Sequence, residues 1–326
     1  MRVPLSWLRA HCRTDLPTAE IVERFDMSGT EVERVERIGP PSPEGFVVGR
    51  VLSAEPHPDA DRLRVCEVDA GGDPRTIVCG APNVAEGQTV AVALPGAVMP
   101  DGTKLGEAKL RGVKSSGMIL AEDELGLGED HAGIMVLGER PAPGTPLAEV
   151  LAVSEEVLEL EITPNRPDCL SILGVALELH AVTGGELVAP EEEALESEPP
   201  GAVPIEIDPE ICRRFSAVAY EDVRIAPSPL WLKARLTAAG QRPISNVVDI
   251  TNYVMLLTGQ PLHAFDTDEI RGGRIVVRQA EPGERIITLD DVERELSPEM
   301  VVVCDAEGPS GIAGIMGGQI SEVSQK

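Results

Sequence analysis

The spacing of apolar positions changes along the chain, and each change predicts a different element. Residues 17–29, "PTAEIVERFDMSG", read as a short helix. Pro17 and Thr18 suit its start, and Gly29 suits its C-terminal stop. The next stretch, "TEVERVERIG", alternates Val and Ile with charge, the period of a half-buried strand. From 46 to 138 the pattern becomes short Val-rich segments broken by Gly and Pro: "FVVGRVLSAEP", "LRVCEVDAG", "RTIVCGAPN" and "QTVAVALPGAVMP". Short strands at that spacing predict a small barrel. "AEDELGLGEDHAGIMVL" follows as a turn-rich closing element. "VLELEITPNRPD" predicts a strand that ends in a Pro-Asn-Arg-Pro turn. "CLSILGVALELHAVTGG" repeats apolar residues at helical spacing and stops at Gly184, with His180 inside it as a structural residue.

Past residue 203 a second region of helices and strands is expected. "PSPLWLKARLTAAG" and "RPISNVVDITNYVMLLTG" predict helices, and the Val- and Ile-rich stretch from 272 to 318 predicts short strands with turns. On a helix over 243–257, Ile244, Val247, Val248, Val254 and Met255 fall on one face together with Thr251, while Asn246 and Asp249 fall off it. The fold class is therefore α+β and multi-domain.

Composition narrows the function classes. The chain has 326 residues and is 42% hydrophobic, enough for two or three domains with cores of their own. Aromatic residues are 2%, so those cores rest on Val, Leu, Ile, Ala and Met. The six cysteines show no CxxC pair, the usage of a reduced cytosolic protein and not of a disulfide framework or a zinc site. No 18-residue apolar run is present to span a membrane, and the first residues lack the apolar core of a signal peptide. A net charge of −27 argues against a broad nucleic-acid surface, because phosphates are neutralised by Lys and Arg. RNA contact must then be local or shape-driven. "APEEEALESEPPGAV", residues 189–203, has five glutamates, three prolines and no Lys or Arg, which is a solvated linker. The last residues, "SEVSQK", follow "GIAGIMGG" at 311–318 closely, and a strand and turn there is expected to continue in a longer protein.

Three groups of residues carry candidate chemistry. The glycine-rich "GIAGIMGG" lacks the Lys-Ser or Lys-Thr of a phosphate loop; it reads equally as close backbone packing or as a wall where a ligand meets bare backbone. Thr251 either back-bonds within its helix or lines a pocket beside His263, which follows the turn Gly259-Gln260-Pro261. In the barrel segment 40–151, nine Lys and Arg stand against seventeen Asp and Glu, a net of −8. There Arg62 with Arg64, and Lys109 with Arg111 and Lys114, read either as a local phosphate-binding edge or as an ordinary solvated surface. No Ser-His-Asp arrangement, zinc deaminase signature or adenylate-forming core is present.

Six motifs, "HPDADRLRVCEVDAG", "IVCGAPNV", "LRGVKSSGMILAEDELGLGEDHAGIMVL", "TPNRPDCLSILGVA", "PISNVVDITNYVMLLTGQPLHAFD" and "GIAGIMGG", occur in an order that resembles the β subunit of bacterial phenylalanyl-tRNA synthetase. The resemblance runs over essentially the whole chain and matches somewhat under half of such a subunit. It implies an N-terminal α+β module at 1–39 and 152–190 with an inserted OB-fold tRNA-binding domain at 40–151. It implies next an acidic Pro-rich linker at 191–203, then a B3/B4 editing domain at 204–326, incomplete at its C-terminus. The family glutamate that reads a tyrosine hydroxyl belongs to a strand beyond Lys326.

The implied activity is that of a cytoplasmic (αβ)2 ligase that joins phenylalanine to tRNA(Phe) with ATP and Mg²⁺, neither of them held by this portion. The implied partners are the α subunit and tRNA(Phe). An apolar phenylalanine site cannot strongly reject an analogue that merely adds a hydroxyl, so a second site hydrolyses Tyr-tRNA(Phe). By resemblance, His263, Thr251 and Asn252 are the catalytic residues of that editing site. Gly314, Met316, Gly317 and Gly318 bind its substrate, no residue binds a metal, and the basic residues named above bind tRNA. Two other readings stand beside it: a free-standing OB-fold RNA-binding protein, and a structural subunit fragment whose editing pocket does not function.

Overall fold

The computed structural model describes residues 1–128, 133–138, 141–190 and 203–323. The linker expected at 191–203 lies outside the described residues except for its last position. So do Arg140, residues 129–132 of the turn-rich closing element and residues 324–326. The chain forms two compact units. The first comprises Met1–Pro190, Ser228–Ile244 and Met255–Gly259; the second comprises Glu191–Pro227, Ser245–Val254 and Gln260–Lys326.

The first unit begins with β1 (Arg2–Pro4), α1 (Leu5–His11), β2 (Cys12–Arg13), α2 (Thr18–Ser28) and β3 (Glu31–Ile38). Then come β4 (Phe46–His57), β5 (Ala60–Asp69), β6 (Arg75–Cys79), β7 (Thr89–Ala93), β8 (Ala108–Leu110), β9 (Val113–Ser115) and β10 (Met118–Ile119). β11 (Glu155–Glu161), α3 (Ile172–Thr183), β12 (Glu186–Leu187) and α4 (Leu230–Ala238) complete it.

α2 forms where its punctuation places it. Ile21 and Phe25, one turn apart, are buried. Gly29 at φ 91° ends the helix, its N–H donating to Asp26 O while Thr30 N–H donates to Phe25 O. β3 pairs with β11, which also pairs with β1, in the order β1-β11-β3. β3 is mostly exposed, as an alternating edge strand is, whereas β11 buries Val157, Leu158 and Leu160. α3 starts on Ser171, whose Oγ accepts from Gly174 N–H at 3.0 Å, and stops at Gly184. His180 Nδ1 lies 2.7 Å from Gly185 O, a structural contact at the helix end. On α4, the Arg235 guanidinium sits 5.6 Å over the rings of both Trp7 and Trp231, the two tryptophans of the chain.

The Val-rich segments build a five-stranded sheet in the order β10-β7-β4-β5-β6. β4 is twelve residues long. Its first half pairs with β7 and its second half with β5, with register shifts at Val51/Ser53 and Pro56/His57. Such shifts bend a strand and increase its twist. Gly49 lies in the ladder to β7 before the first shift, and a Cβ there would stand 2.5 Å from Val92 Cγ2. All five residues of β7 are buried. Val90 and Val92 join Val51, Cys66, Val68 and Ile77 in one cluster, and Ala91 and Ala93 join Phe46, Val48, Leu120 and Leu125 in another.

The sheet comes near to closing on itself. Ser116 N–H donates to Thr76 O at 2.9 Å and Val78 N–H donates to Ser115 Oγ at 3.0 Å, both on β6; a few residues on, β10 pairs with β7. This nearly closed, barrel-like sheet is consistent with an OB-like fold. The "CGAPNV" motif has a mechanical role in it: Asn83 Nδ2 donates to Ile134 O at 2.9 Å, and Ile134 N–H donates to Asn83 Oδ1 at 2.8 Å.

The second unit contains β13 (Ile205–Ile207), β14 (Ile275–Gln279), β15 (Arg285–Ile287), β16 (Glu293–Glu295), β17 (Val301–Cys304), β18 (Pro309–Ile312) and β19 (Met316–Gly317). α5 (Asn246–Thr258) begins in it. Its main sheet has the order β13-β14-β17-β18-β19, and β15 pairs with β16 apart from it. Ala280, Ile286, Leu296, Val302, Cys304 and Ile312 form its core. The helix face expected for α5 needs correcting. Ile244 precedes the helix and is 63% exposed, and Asp249, expected off the apolar face, is fully buried. Apolar spacing alone ranked the faces, and tertiary context chose another.

Among the ion pairs of this unit, one holds a buried carboxylate. Arg271 Nε and Nη2 reach Asp305 Oδ2 and Oδ1 at 2.6 and 2.9 Å, and the Asp305 side chain is 1% exposed. Burial pushes the Asp305 carboxyl up. The guanidinium of Arg271 and the N–H groups of Glu307 and Gly308 outweigh burial and hold it below the usual carboxylate value. Arg271→Ala leaves that charge unpaired, and we expect a loss of about 2–3 kcal/mol, below the full cost of a buried pair because Arg271 is partly exposed. A folded-state pKa below the unfolded one stabilises above the unfolded value and is lost as pH falls through the folded one. The urea midpoints of parent and variant should therefore differ at pH 7 and converge below about pH 4. Equal midpoints at pH 7 would show that the pair adds nothing.

Candidate functional site

The basic residues lie at one end of the barrel. β8 and β9 form a hairpin whose turn is Arg111 at φ 43° and Gly112 at φ 94°, both left-handed as a type I′ turn requires. Lys109 is directly opposite Lys114. Like charges so placed repel, and Lys114 is answered by Glu107, Nζ to Oε2 2.7 Å. Lys114 and Ser116 hold the Glu107 carboxyl below its usual range. Ala108, Lys109 and Leu110 are all exposed. Arg62 and Arg64 come from β5, and Arg64 Nη1 donates to Ala54 O at 3.1 Å.

His57 joins these two groups, and reading the sequence had not singled it out. It ends β4, is 5% exposed, and accepts at Nδ1 from Asp59 N–H at 3.0 Å. With Nδ1 an acceptor, the neutral ring carries its proton on Nε2, which lies 3.2 Å from Leu110 O beside Arg111. The "HPDADRL" motif was the available signal: a histidine in a tight turn has backbone N–H groups within reach. Arg62, Arg64, Lys109 and Arg111 are thus brought to one end, while Lys114 is already paired.

His263 belongs to the irregular segment after α5. Its ring meets Phe265 edge-on, centroids 4.6 Å apart and planes at 76°. It also lies against β19. A Cβ on Gly317 would stand 2.8 Å from His263 Nε2, nearer still to Cε1, and 3.2 Å from Leu289 Cδ1. Only glycine lets the imidazole approach that strand so closely. Leu289 N–H donates to Gly317 O at 3.1 Å, and Gly318 N–H donates to Ser310 O at 2.7 Å, so the strand is held from both sides. Part of the ring is open to solvent, but its packed side is desolvated enough to lower its pKa from the ordinary histidine value. At neutral pH the imidazole is mainly uncharged and can accept a proton.

The remaining residues of this group divide. Gly314 at φ 70° makes the turn between β18 and β19, and Met316 is half-buried on β19. Thr251 Oγ1 donates to Val248 O at 2.7 Å, the back-bonded alternative open to a helical threonine. Neither Thr251 nor Asn252 makes a hydrogen bond to His263 among the described residues. Among those residues no group of three His, Cys, Asp or Glu side chains is arranged to hold a metal ion. No helix among them is long and apolar enough to cross a membrane.

Comparison with known proteins assigns both regions. Residues 46–146 match the tRNA binding domain family and residues 211–326 match the B3/4 domain family. The phenylalanine–tRNA ligase beta subunit of Moorella thermoacetica is 51% identical over 336 residues, covering 99% of this chain and 41% of its own length. That of Syntrophus aciditrophicus is 46% identical over 99% of this chain and 40% of its own length. Among solved structures, the C-terminal domain of Plasmodium vivax p43 aligns with 30% of this chain and 56% of its own at 28% identity, with a TM-score of 0.23. The chain spans about two-fifths of the length of the curated relatives it matches. With both domains in sequence and alignment over nearly every residue, the chain belongs to the phenylalanine–tRNA ligase beta subunits.

Proposed function

We propose that this chain is the tRNA-contacting and editing portion of a cytoplasmic phenylalanine–tRNA ligase. In the whole (αβ)2 enzyme, phenylalanine is activated with ATP and Mg²⁺ on the α subunit, and this chain's residues are assigned neither. In this reading, residues 1–39 and 152–190 form the N-terminal module, 40–151 an inserted OB-fold that touches tRNA(Phe), and 204–326 a B3/B4 editing domain. The observation that carries the reading is the approach of His263 to the bare backbone of Gly317 within the B3/4 match.

The chemistry is ester hydrolysis. A water oxygen attacks the carbonyl carbon of Tyr-tRNA(Phe), the bond from that carbon to the terminal ribose oxygen breaks, and the ribose oxygen takes up a proton. Tyrosine and free tRNA(Phe) leave. The uncharged His263 ring holds the water or a terminal ribose hydroxyl in line, and Gly314, Met316, Gly317 and Gly318 give the substrate a wall without side-chain bulk at the glycines. The rival reading, a structural fragment with an inactive pocket, has one observation in its favour: the Thr251 hydroxyl is already bonded within α5.

In the full αβ enzyme, His263→Ala should slow single-turnover deacylation of Tyr-tRNA(Phe) by about 10²-fold, the scale of a proton-transfer or orienting group. The same change should cost well under ~3 kcal/mol of stability, since a partly exposed ring contributes little packing. Normal deacylation by the folded variant would hand the case to the structural reading. Gly317→Ala should displace the ring and return it to water. Its NMR titration midpoint should then rise toward the ordinary value near 6.5, and deacylation should fall with it; an unmoved midpoint would mean that Gly317 does not set the ring's position.

Binding of a tRNA(Phe) transcript to this chain should be weak. With about three phosphate contacts, log K against log salt should fall with a slope of roughly −2 to −3. Arg111→Glu should weaken binding further. Micromolar binding indifferent to salt would place the RNA contact elsewhere.

A further inference from the structure

We infer that His57 is a positioning residue for nucleic-acid contact: its buried imidazole ties the β4–β5 turn to the Leu110 carbonyl and so fixes the basic β8–β9 hairpin on the barrel. The inference rests on the proposed RNA-binding role of the barrel and adds to it the device that orients the cations.

The hairpin cannot hold its own position. Its strands have three residues each, its first strand is wholly exposed, and Lys109 faces Lys114 across the ladder. Isolated two-stranded ribbons are marginal in water, and a like-charge pair weakens this one further. β9 is attached to β6 through Ser115 Oγ, which accepts from Val78 N–H at 3.0 Å. Among the described residues, the contact from His57 Nε2 to Leu110 O is the hydrogen bond that attaches β8 to the rest of the barrel. The chain before β8 is tied at Leu105, which exchanges backbone hydrogen bonds with Gly96 and Ala97, and Glu107 accepts from Ser116 Oγ at 3.0 Å. Without the His57 contact the tip of the hairpin beyond these ties is held through β9 alone, and Lys109 and Arg111 lose their fixed orientation.

The ring is well set for this. It ends the strand shared by β5 and β7, so its Cα is anchored in the sheet. Asp59 N–H fixes the tautomer, and at 5% exposure the ring has little freedom to turn. A cation on a hinged hairpin loses conformational freedom when it meets a phosphate; one on a fixed hairpin has already lost it.

Two substitutions separate positioning from packing. His57→Phe keeps a ring and removes both hydrogen bonds. His57→Gln offers an amide N–H toward Leu110 O. Hydrogen exchange on the whole chain should show amide protection at 108–115 falling about fivefold or more in His57→Phe, the equivalent of one net hydrogen bond, with protection in β4 and β7 unchanged. Affinity for a tRNA(Phe) transcript at low salt should fall about three- to tenfold, with a salt slope shallower by about one contact. His57→Gln should recover much of both, and Arg111→Glu should lower affinity with no change in exchange.

Unchanged protection at 108–115 in His57→Phe would overturn the inference. So would lost protection with unaltered affinity and slope, or protection lost throughout the barrel, which would make His57 a core residue. If the parent chain does not bind RNA at all, the RNA-binding reading fails, and with it the role of His57 in RNA contact; the exchange data alone would then decide whether it fixes the hairpin.

Discussion

The barrel depends on β4. That strand carries ladders on both sides, to β7 through Phe46–Arg50 and to β5 through Arg50–His57, and it bends where one ladder gives way to the other. The bend lets a five-stranded sheet turn back on itself, so that Ser115 at the end of β9 and Ser116 after it bond to β6 just before the chain enters β10. Both faces of β7 are then covered, which explains why "TVAVA" reads as an unbroken apolar run and not as an alternating one. The same strand delivers His57 to the end where the cations gather. Closure of the core and presentation of the charged hairpin thus have a common mechanical origin.

The second unit obeys a different constraint, the close approach of a ring to a backbone. Gly317 has no side chain, His263 occupies the space one would fill, and Leu289 and Ser310 pin the strand in place through backbone hydrogen bonds. Desolvation by that contact favours the uncharged imidazole. In the proposed hydrolytic role, an uncharged ring is the form that can accept a proton or orient a water near neutral pH. The Arg271–Asp305 pair lies outside this contact and braces the turns on either side of β14 and β17.

Local signals were legible in the sequence, and non-local ones were not. Gly29 and Gly184 ended their helices because a left-handed C-cap is decided within a few residues. The Val-rich strands were visible one by one, and the small barrel followed from their spacing. The face of α5 was misjudged because burial of Asp249 depends on what surrounds the helix and not on its own periodicity. Lys114 looked free for phosphate, but its pairing with Glu107 spans a turn that composition does not reveal. The meeting of His263 with Gly317 joins segments far apart in the chain. The family motifs named both residues, and no spacing rule could have placed them in contact. The part played by His57 is non-local in the same way, since its Nε2 contact with Leu110 O joins residues 53 apart in the chain.

With a net charge of −27, the proposed RNA contact depends on where the cations are and not on how many there are. Each phosphate contact contributes a fixed increment to the salt dependence of binding, so a few contacts on an acidic surface give weak affinity alone. Weak contacts matter when another site on the same molecule already holds the ligand, because the second encounter is then intramolecular and proceeds at high effective concentration. For a tethered contact, misorientation is costlier than a missing charge: a swung hairpin misses its phosphate, whereas a fixed one meets it whenever the RNA is held. On this argument a buried histidine that bonds a single carbonyl matters more to recognition than another exposed lysine would.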